Sequence, residues 1–593
     1  MPHRLATRAH AVALVIGALK VVRPAATAVA LVLSAGQTTL AQSAAGRRVA
    51  ALIEQTTEGT RPAARLVASF DGLGAGFIGP EGSGRGRNPS DNSLAVGPDH
   101  IMQTVNGLGM AIFTKKGRLF DTTGRVLYGP VNVKTVFRGF SGNCEERSSG
   151  DVVVRYDQLA NRWLIVMPLF SRGPARADQP QPARAGAPAE RSVIGVAGQP
   201  NGAAMLFRPV APRADSAARV AEAPVAASSA ASAPAAARAP EPTGPYSMCY
   251  AVSTSADPLG LYYRYEFLRA DFPDYPRPAD WPDGYYVPTS SSDDRISATV
   301  ATRKHACVAD RVRMLKGEPA TEQCVIIENS NFLNNADLDG TTRPPRGAPN
   351  IMMAAGGRQL DSLYEDRVIR AWSFHVDWVD ATKTRVTELP PVAVAPYRYL
   401  CDGQLTACVP QPESPRRLDA QGDKLMARLV YRNVRGRESI VAVHAVNTVA
   451  GGGVRWYEFG IARDRSVRLV QQGTYAPGGN YRWMASPAID KDGNIGIGYS
   501  FGGANDFPGQ RFAGRRAGDP RGQLTFKEAV LVAGEAAEGD PARPGAQRWE
   551  DYTQTAVDPV DDCTVWYVGD YVKRGTTGYS TRIGAFRMPG CGR

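Results

Sequence analysis

Residues 482–500 read RWMASPAIDKDGNIGIGYS, and this stretch decides the fold. The apolar residues on either side of Asp492-Gly493-Asn494 predict two antiparallel strands joined by a tight turn. A similar unit occupies residues 548–567, which also start with Arg-Trp, reach an Asp-bearing turn and return through an apolar strand. A β-unit that recurs at this spacing is typical of propeller blades. We therefore predict an all-β fold, a single β-propeller of six or seven blades.

Composition divides the chain into five segments. Residues 1–45 predict an export signal, because basic residues precede an apolar run that ends in small residues; an uncleaved anchor is the alternative. Residues 46–89 are polar and glycine-rich and predict a loosely ordered lead-in. The first propeller blades are expected over residues 90–170, and the remainder of the propeller over residues 246–593. Residues 171–245, rich in Ala, Pro and Arg, predict a disordered insertion, because they bury too little apolar surface to offset their ordering entropy.

The charge and cysteine content restrict the compartment and the partners. The net charge of +12 includes six Lys/Arg and no acid in residues 1–48, so the rest of the chain is near +6. No basic run is interleaved with aromatic residues, so nucleic acid is not an expected partner. No run in the mature chain approaches the ~20 apolar residues of a membrane span. Eight cysteines behind an export signal indicate a secreted, periplasmic or cell-envelope protein with disulfides.

Spacing favours two disulfide pairs and argues against a metal site. Cys401 and Cys408 are expected to close a short loop, and Cys563 and Cys591 to staple the last blade. The connectivity of the other four cysteines stays open. No Cys or His cluster has zinc-site spacing, so no metal and no cofactor are predicted.

The segment after Ile489 also begins like a calcium loop. Asp490, Asp492 and Asn494 fit its start, but Phe501 stands where an EF-hand requires Glu. A hairpin turn is therefore the better interpretation. Structural calcium elsewhere in the propeller remains an open alternative.

Several segments together resemble a largely uncharacterised family of exported bacterial β-propeller-like proteins. Besides the two Arg-Trp units, the matching residues are 91–98, 154–157, 162–163, 249–253, 257–258, 262–265, 272–276, 281–286, 429–433, 456–458 and 471–475. The resemblance implies an exported compartment and a propeller architecture, and it implies no particular activity. A looser similarity is to sialidase-type propellers, since Ser486, Asp490 and Gly493 follow the order of their Asp-box. The spacing differs from that motif, and its Trp is missing.

The candidate ligand site follows from propeller geometry. The innermost strand of each blade lines a central channel, and loops at one end form the usual ligand site. Arg suits anionic groups, Trp suits a sugar or aromatic face, and Asp or Glu supplies polar contacts or acid–base chemistry. The alternative is that the Arg and Trp side chains brace adjacent blades. The candidate ligand-binding residues are Trp281, Asp283, Arg428, Arg482, Trp483, Arg548, Trp549, Asp551 and Tyr552.

Two functions fit this pattern, and the sequence leaves open whether the protein is an enzyme. The first is a binding or interaction module for an extracellular or envelope ligand, such as a glycan or a protein. The alternative is a sialidase-like glycoside hydrolase or lyase that acts on an acidic glycan. That enzyme would need three arginines on a carboxylate, a Tyr–Glu pair and an acid, with separations that sequence does not fix. The residues that could imitate these roles are Arg428, Arg482 and Arg548, then Tyr552 with Glu550, and Asp283.

Overall fold

The computed structural model describes ten stretches of the chain and is nearly all strand. They are residues 53–84, 88–106, 109–147, 150–173, 244–292, 303–356, 366–403, 408–540, 542–543 and 545–592. The predicted export signal lies outside them, as does the predicted insertion apart from a few residues at its two ends. The helical segments in these stretches are short: Asn143–Glu146 and Arg311–Met314, and the 3-10 turns Val133–Phe137, Ala381–Lys383, Leu400–Gly403 and Pro477–Gly479. No helix in these stretches is long and apolar enough to cross a membrane.

The first two sheets, units 1 and 2, are four-stranded antiparallel meanders. Unit 1 comprises Ser93–Val96, His100–Val105, Gly109–Thr114 and Val126–Asn132. Unit 2 comprises Val153–Asp157, Arg162–Pro168, Tyr246–Ser253 and Tyr262–Arg269. The second and third strands of unit 2 pair directly although the predicted insertion separates them in sequence. The insertion therefore leaves the propeller between two neighbouring strands of one sheet.

Units 3, 4 and 5 are less uniform. Unit 3 contains Phe272–Asp274, Ala279–Trp281, Gly284–Tyr286, Thr289–Ser292, Lys304–Ala309 and Glu322–Ile327. Unit 4 contains Asn334–Leu338, Asn350–Ala355, Asp366–His375 and Arg385–Tyr397. Unit 5 contains Leu429–Val434, Arg437–Thr448, Gly451–Ile461 and Val467–Tyr475. The first strands of units 4 and 5 pair in parallel, and Glu54–Gln55 adds beside the last strand of unit 5, so one sheet has nine strands.

Units 6 and 7 contain the repeated Arg-Trp segments. Unit 6 comprises Tyr481–Ile489, Ile495–Gly502, Gly509–Arg515 and Ala529–Val532. Unit 7 comprises Gln554–Val557, Thr564–Tyr571, Ser580–Arg587 and, as its outer strand, Arg65–Gly74. The residues predicted as a loosely ordered lead-in therefore hold the strand that closes the last unit. Its first half is largely exposed at the sheet edge, and its last three residues are buried.

The hairpin predicted from the opening sequence forms in unit 6. Ile489 lies opposite Ile495, and Gly493 takes a positive φ of 82° at the turn. The Asp490 carboxylate accepts hydrogen bonds from the backbone N–H groups of Asp492 (3.0 Å) and Asn494 (2.9 Å). These bonds satisfy the side chain within the turn and fix the register of the two strands.

One strand of each unit, which we call its inner strand, lies in a closed ring. In unit 3 the inner strand is Ala279–Trp281, and in the other units it is the first strand. Each inner strand contacts that of the next unit, and the inner strand of unit 7 contacts that of unit 1. A closed ring of radially arranged antiparallel sheets is a β-propeller. The described residues thus have the predicted all-β, propeller-like architecture, with sheets arranged around one central channel.

The hydrophobic core lies between the faces of adjacent units. Trp163 of unit 2 packs with Met102 of unit 1, and Trp566 of unit 7 packs with Leu94 of unit 1. Both of these apolar partners and both tryptophans are at most 3% exposed. Strands with both faces buried read as continuous apolar runs, as in residues 163–167.

Two smaller features complete the fold. A side sheet pairs Val409–Gln411, Ser414–Leu418 and Ala546–Gln547, and a hairpin joins Ile78–Gly79 to Gly82–Ser83. The cysteines form four disulfides: Cys144–Cys249, Cys307–Cys324, Cys401–Cys408 and Cys563–Cys591. Both predicted pairs are confirmed. The Cys144–Cys249 bond ties the helix after unit 1 to the third strand of unit 2.

Candidate functional site

A residue with a positive φ precedes the inner strand in six units and lies within the inner strand of unit 6. Such angles are uncommon for residues other than glycine and concentrate at functional sites. The residues with positive φ at these seven positions are Asp91, Gly150, Tyr275, Asn329, Gln421, Met484 and Asp551. The inner strands all begin at the same end of the channel, which we call the entry mouth. The fold therefore directs seven loops toward one place.

The entry mouth collects more acids than bases. The described residues place six carboxyl groups there: Asp91, Asp151, Asp274, Asp419, Asp423 and Asp551. Four cationic side chains lie among or beside them: Arg277, Lys304, Lys424 and Arg548. Arg548 donates to Asp419 at 2.8 Å and also to Asp551, and Lys424 lies 2.5 Å from Asp423. These ion pairs involve Lys424 and Arg548. The remaining carboxyl groups, those of Asp91, Asp151 and Asp274, have no ion pair of their own among the described residues.

Asp91 and Asp151 lie close enough to share a proton. Burial, together with the charge of Asp551, raises the pKa of Asp151 to about 7. Burial also raises the pKa of Asp91 well above its usual range, with added repulsion from Asp151 and Asp551. The pKa of Asp274 is also raised, because of burial and the charge of Asp151. Like charges gathered in a desolvated site cannot all ionise at once.

Aromatic side chains form the wall of the mouth beside these acids. The Tyr275 and Tyr552 rings lie 5.3 Å apart, and the Tyr275 and Phe332 rings 5.0 Å apart. The Tyr275 hydroxyl donates to the Asp551 carbonyl at 2.6 Å. The Tyr552 hydroxyl, in a residue only 3% exposed, has no hydrogen-bond partner among the described residues. A buried hydroxyl without a partner is uncommon and requires an explanation.

The interior of the channel has a different arrangement, and Arg428 lies there. Its guanidinium group donates to Asp337 at 2.6 Å, to Asp339, and to the Thr555 carbonyl at 3.1 Å. Arg155 lies 3.2 Å from Asp337 on the other side. These contacts join the inner strands of units 2, 4, 5 and 7. Arg428 therefore braces the ring.

The open space in the channel interior is small. A cavity of about 20 Å3 lies among Arg155, Asp280, Asp337 and Arg428. Burial raises the pKa of Asp280 well above its usual range, and the charges of Asp157 and Asp337 raise it further. Asp280 therefore favours its neutral form, which leaves two carboxylates opposite two guanidinium groups. A space of this size accommodates water and not a sugar ring.

The two Arg-Trp segments are not equivalent in the structure. Arg482 and Trp483 lie within the first strand of unit 6, whereas Arg548 and Trp549 precede the first strand of unit 7. Arg482 is buried and donates to Glu528 at 2.6 and 3.2 Å, away from the mouth. The Arg548 side chain is 42% exposed and faces the mouth acids. The two Arg-Trp dipeptides differ in environment because the first strand of unit 6 already begins at Tyr481, whereas the chain before the first strand of unit 7 is still in a turn at Asp551.

The three candidate tryptophans are all structural in their contacts. Trp483 and Trp549 are fully buried, with ring centroids 6.2 Å apart, and Trp549 donates to Ser500 at 3.0 Å. Trp281 packs against Tyr431 and donates to the Ala348 carbonyl at 3.1 Å. None of them presents a ring face at the described part of the mouth. The predicted role of Trp as a sugar platform therefore has no counterpart in these contacts.

Asp283 lies at the opposite end of the channel. It follows the inner strand of unit 3, and its carboxylate accepts a hydrogen bond from the Tyr286 hydroxyl at 3.1 Å. Burial raises the pKa of Asp283 to about 6. Of the nine predicted site residues, the structure brings Arg548, Asp551 and Tyr552 together at the entry mouth and places the others elsewhere.

The arrangement required for sialidase-like chemistry is not assembled from the proposed residues. Arg428, Arg482 and Arg548 belong to three separate ion-pair groups, each already facing carboxylates. The Glu550 carboxylate bonds to Ser500 and accepts from Gln510 at 3.0 Å, so it does not pair with Tyr552. Its own pKa is raised well above the usual range by burial and by the charge of Asp570.

Sequence reasoning missed most of the mouth. Asp151, Asp274, Tyr275 and Lys424 carry no local motif and come from three different units. Their position in the sequence could have identified them, because each lies within a few residues of the start of an inner strand. Comparing these start positions between units would have found them.

No protein-family model matches the chain, and no curated protein does either. Among solved structures, a protein of unknown function from Dyadobacter fermentans has a TM-score of 0.30 and 9% identity, covering 89% of this chain and 100% of its own. A mutant of the NanB sialidase from Streptococcus pneumoniae has a TM-score of 0.33 and 7% identity, covering 74% and 67%. The WD40 domain of SCAP from fission yeast has a TM-score of 0.29 and 8% identity, covering 84% and 96%. Likenesses this weak carry no argument about activity, and the propeller assignment rests on the closed ring of sheets.

Proposed function

We propose that the protein is a non-catalytic binding propeller, acting outside the cell or at its envelope, whose ligand docks at the entry mouth. The observation that carries this proposal is the concentration there of desolvated carboxyl groups and an unpartnered buried Tyr552 hydroxyl. Groups held in unfavourable states on a rigid scaffold are expected where a ligand later satisfies them. Four disulfides suit an oxidising, extracytoplasmic compartment.

The sialidase-like alternative has less support. Its three arginines would have to leave their carboxylate partners to hold an acidic sugar. Six carboxyl groups around the mouth would repel that sugar. A glycan ligand is therefore expected to be neutral or basic, and a protein ligand to present a basic patch.

The test combines a binding screen with an activity assay. The exported protein is applied to glycan and peptide arrays and incubated with a chromogenic sialoside. Asp551→Asn serves as the mouth variant, because Asn tolerates the same left-handed backbone. Asp283→Asn is the matched control at the opposite end of the channel. We expect an array ligand whose retention falls in Asp551→Asn and is unchanged in Asp283→Asn, with no sialoside turnover. Sialoside turnover, or ligand retention that Asp551→Asn leaves unchanged, would overturn the proposal.

A further inference from the structure

The Tyr552 hydroxyl indicates what the mouth lacks. It is buried and has no hydrogen-bond partner among the described residues. The charged groups that act on it most strongly are the carboxyl groups of Asp151 and Asp91. One carboxylate oxygen of Asp91 is likewise buried and without a hydrogen-bond partner in the described part of the chain. A hydroxyl oxygen and a carboxylate oxygen share one requirement, since both accept hydrogen bonds. The missing group is therefore a hydrogen-bond donor.

Solvent can still reach this group of acceptors. Asp274 and Asp551 keep intermediate exposure, and the Asp551 side chain is 13% exposed. Burial is nevertheless the main reason that the pKa of Asp274 is raised. Partial access combined with strong desolvation is expected of a group on the floor of a narrow crevice. A small donor can therefore enter from the surface.

The charge of the missing donor follows from its surroundings. Burial raises the pKa of Asp91, Asp151 and Asp274, and the charge of a neighbouring Asp raises the pKa of each of these three groups as well. A positive charge placed among them would favour their ionised forms. The aromatic faces of Tyr275 and Tyr552 beside them also attract cations.

Geometry distinguishes an organic cation from a metal ion. A calcium ion needs several oxygens at 2.3–2.6 Å, roughly, which brings the oxygens close to one another. The described residues contain two groups of three ligand atoms within 4.8 Å of one another, and both consist of disulfide cysteines with an acid, away from the mouth. An ammonium group needs fewer oxygens, because it has three hydrogens and two carboxylates with one hydroxyl can accept all of them.

We infer that the entry mouth binds a primary ammonium group, held by Asp91, Asp151 and the Tyr552 hydroxyl beside the negative charge of Asp274. This inference rests on the proposed binding function and names its ligand class. The ammonium group can belong to a free polyamine or to a lysine side chain of a peptide. The two sources share the same chemistry at the mouth, and the test separates them.

The test is isothermal titration calorimetry at pH 7.5 and low salt, on the full exported chain. The probes are 1,5-diaminopentane, a lysine-containing tetrapeptide with blocked ends, and calcium chloride. We expect the diamine, the peptide or both to bind. Asp274→Asn should weaken that binding by about tenfold, because it removes a partly buried carboxylate that attracts the ammonium charge. Tyr552→Phe should weaken it by about threefold to tenfold, and Asp283→Asn should leave it within about twofold.

The controls keep the outcome decisive. Thermal melts confirm that each variant is folded, and Tyr552→Phe supplies a second variant if Asp274→Asn does not fold. Binding of the diamine alone identifies free polyamines as the ligand class, and binding of the peptide identifies lysine side chains. No heat from either amine, or calcium binding that Asp274→Asn abolishes, would overturn the inference. The proposed binding function would survive that result if an array ligand were still lost in Asp551→Asn.

Discussion

The interior and the entry mouth of one channel hold buried charge in opposite ways. In the interior, Arg155 and Arg428 face Asp337 and Asp339, and their contacts join inner strands of four units. At the mouth, six carboxyl groups outnumber four cations, and the Tyr552 hydroxyl has no partner in the described part of the chain. Paired charge holds a structure together, whereas surplus charge of one sign weakens it unless a ligand arrives. The comparison distinguishes the bracing residues from the candidate binding residues, which cannot be told apart from the sequence.

The largest expected effect concerns the brace in the interior. Arg428→Met should lower the free energy of unfolding by about 3–5 kcal/mol, because it leaves Asp337 and Asp339 buried without their partner. Denaturant unfolding followed by tryptophan fluorescence measures the loss. A change below about 1 kcal/mol would mean that the interior ion pairs do not hold the ring.

A smaller effect separates the two Arg-Trp segments. Arg482→Lys should lower the free energy of unfolding by about 1–3 kcal/mol, because Lys cannot keep both bonds to Glu528. Arg548→Lys should change it by less than about 1 kcal/mol, since that side chain is 42% exposed. Thermal melts of the two variants test the difference. Equal drops would show that Arg548 is a brace as well.

The surplus of acid predicts a pH dependence. Asp151, Asp419 and Asp570 have a pKa raised to about 7, mainly by burial. The folded state therefore binds more protons than the unfolded state between about pH 4 and 7, and stability should fall as the pH rises through this window. The expected loss over the whole window is about 4 kcal/mol for each group, because one pKa unit corresponds to about 1.4 kcal/mol. Chemical unfolding at pH 5, 6 and 7 measures it.

The groups that face Asp151 sharpen this expectation. Asp91, Asp551, Arg548 and Tyr275 all act on it, so Asp151→Asn should flatten the pH dependence. Lys304 acts in the other direction, because burial lowers its pKa to about 7 and stability should rise again above that pH. A stability that increases steadily from pH 5 to 7 would contradict the surplus of acid at the mouth.

The smallest effect is expected from removing the insertion. Its two ends meet, because Gly173 donates to the Pro245 carbonyl at 2.8 Å and Gly244 donates to the Gly173 carbonyl at 3.0 Å. Replacing residues 174–243 with Asn-Gly would therefore leave the paired strands of unit 2 in register. The melting temperature should change by no more than about 2 °C, a fraction of a kcal/mol. Failure of this variant to fold would show that the insertion contributes to the propeller.

The fold was more predictable from the sequence than the site. The hairpin at Asp490 has a local signal, since Asp and Gly at fixed positions satisfy its own backbone. Arg65–Gly74 has no such signal, because its partner strand Ser580–Arg587 lies at the other end of the chain. Local chemistry therefore predicts turns, and closure of the ring depends on pairing that sequence proximity does not reveal.

The site residues follow the same rule. Arg548, Asp551 and Tyr552 lie in one segment and were found together. Asp151 and Asp274 come from other units and meet them only after the ring closes. Arg428 and Arg482 have the residue type of a binding site, but their carboxylate partners Asp337 and Glu528 lie at least forty-six positions away in sequence.

One pair of melts at pH 8 tests the central contrast most directly. Asp151→Asn removes a surplus charge at the mouth and should raise the free energy of unfolding by on the order of 1 kcal/mol. Asp337→Asn removes a paired charge in the interior and should lower it by about 3 kcal/mol or more. Opposite signs are the predicted result. A drop in both variants would show that the mouth acids are structural, and would contradict the assignment of the entry mouth as a ligand site.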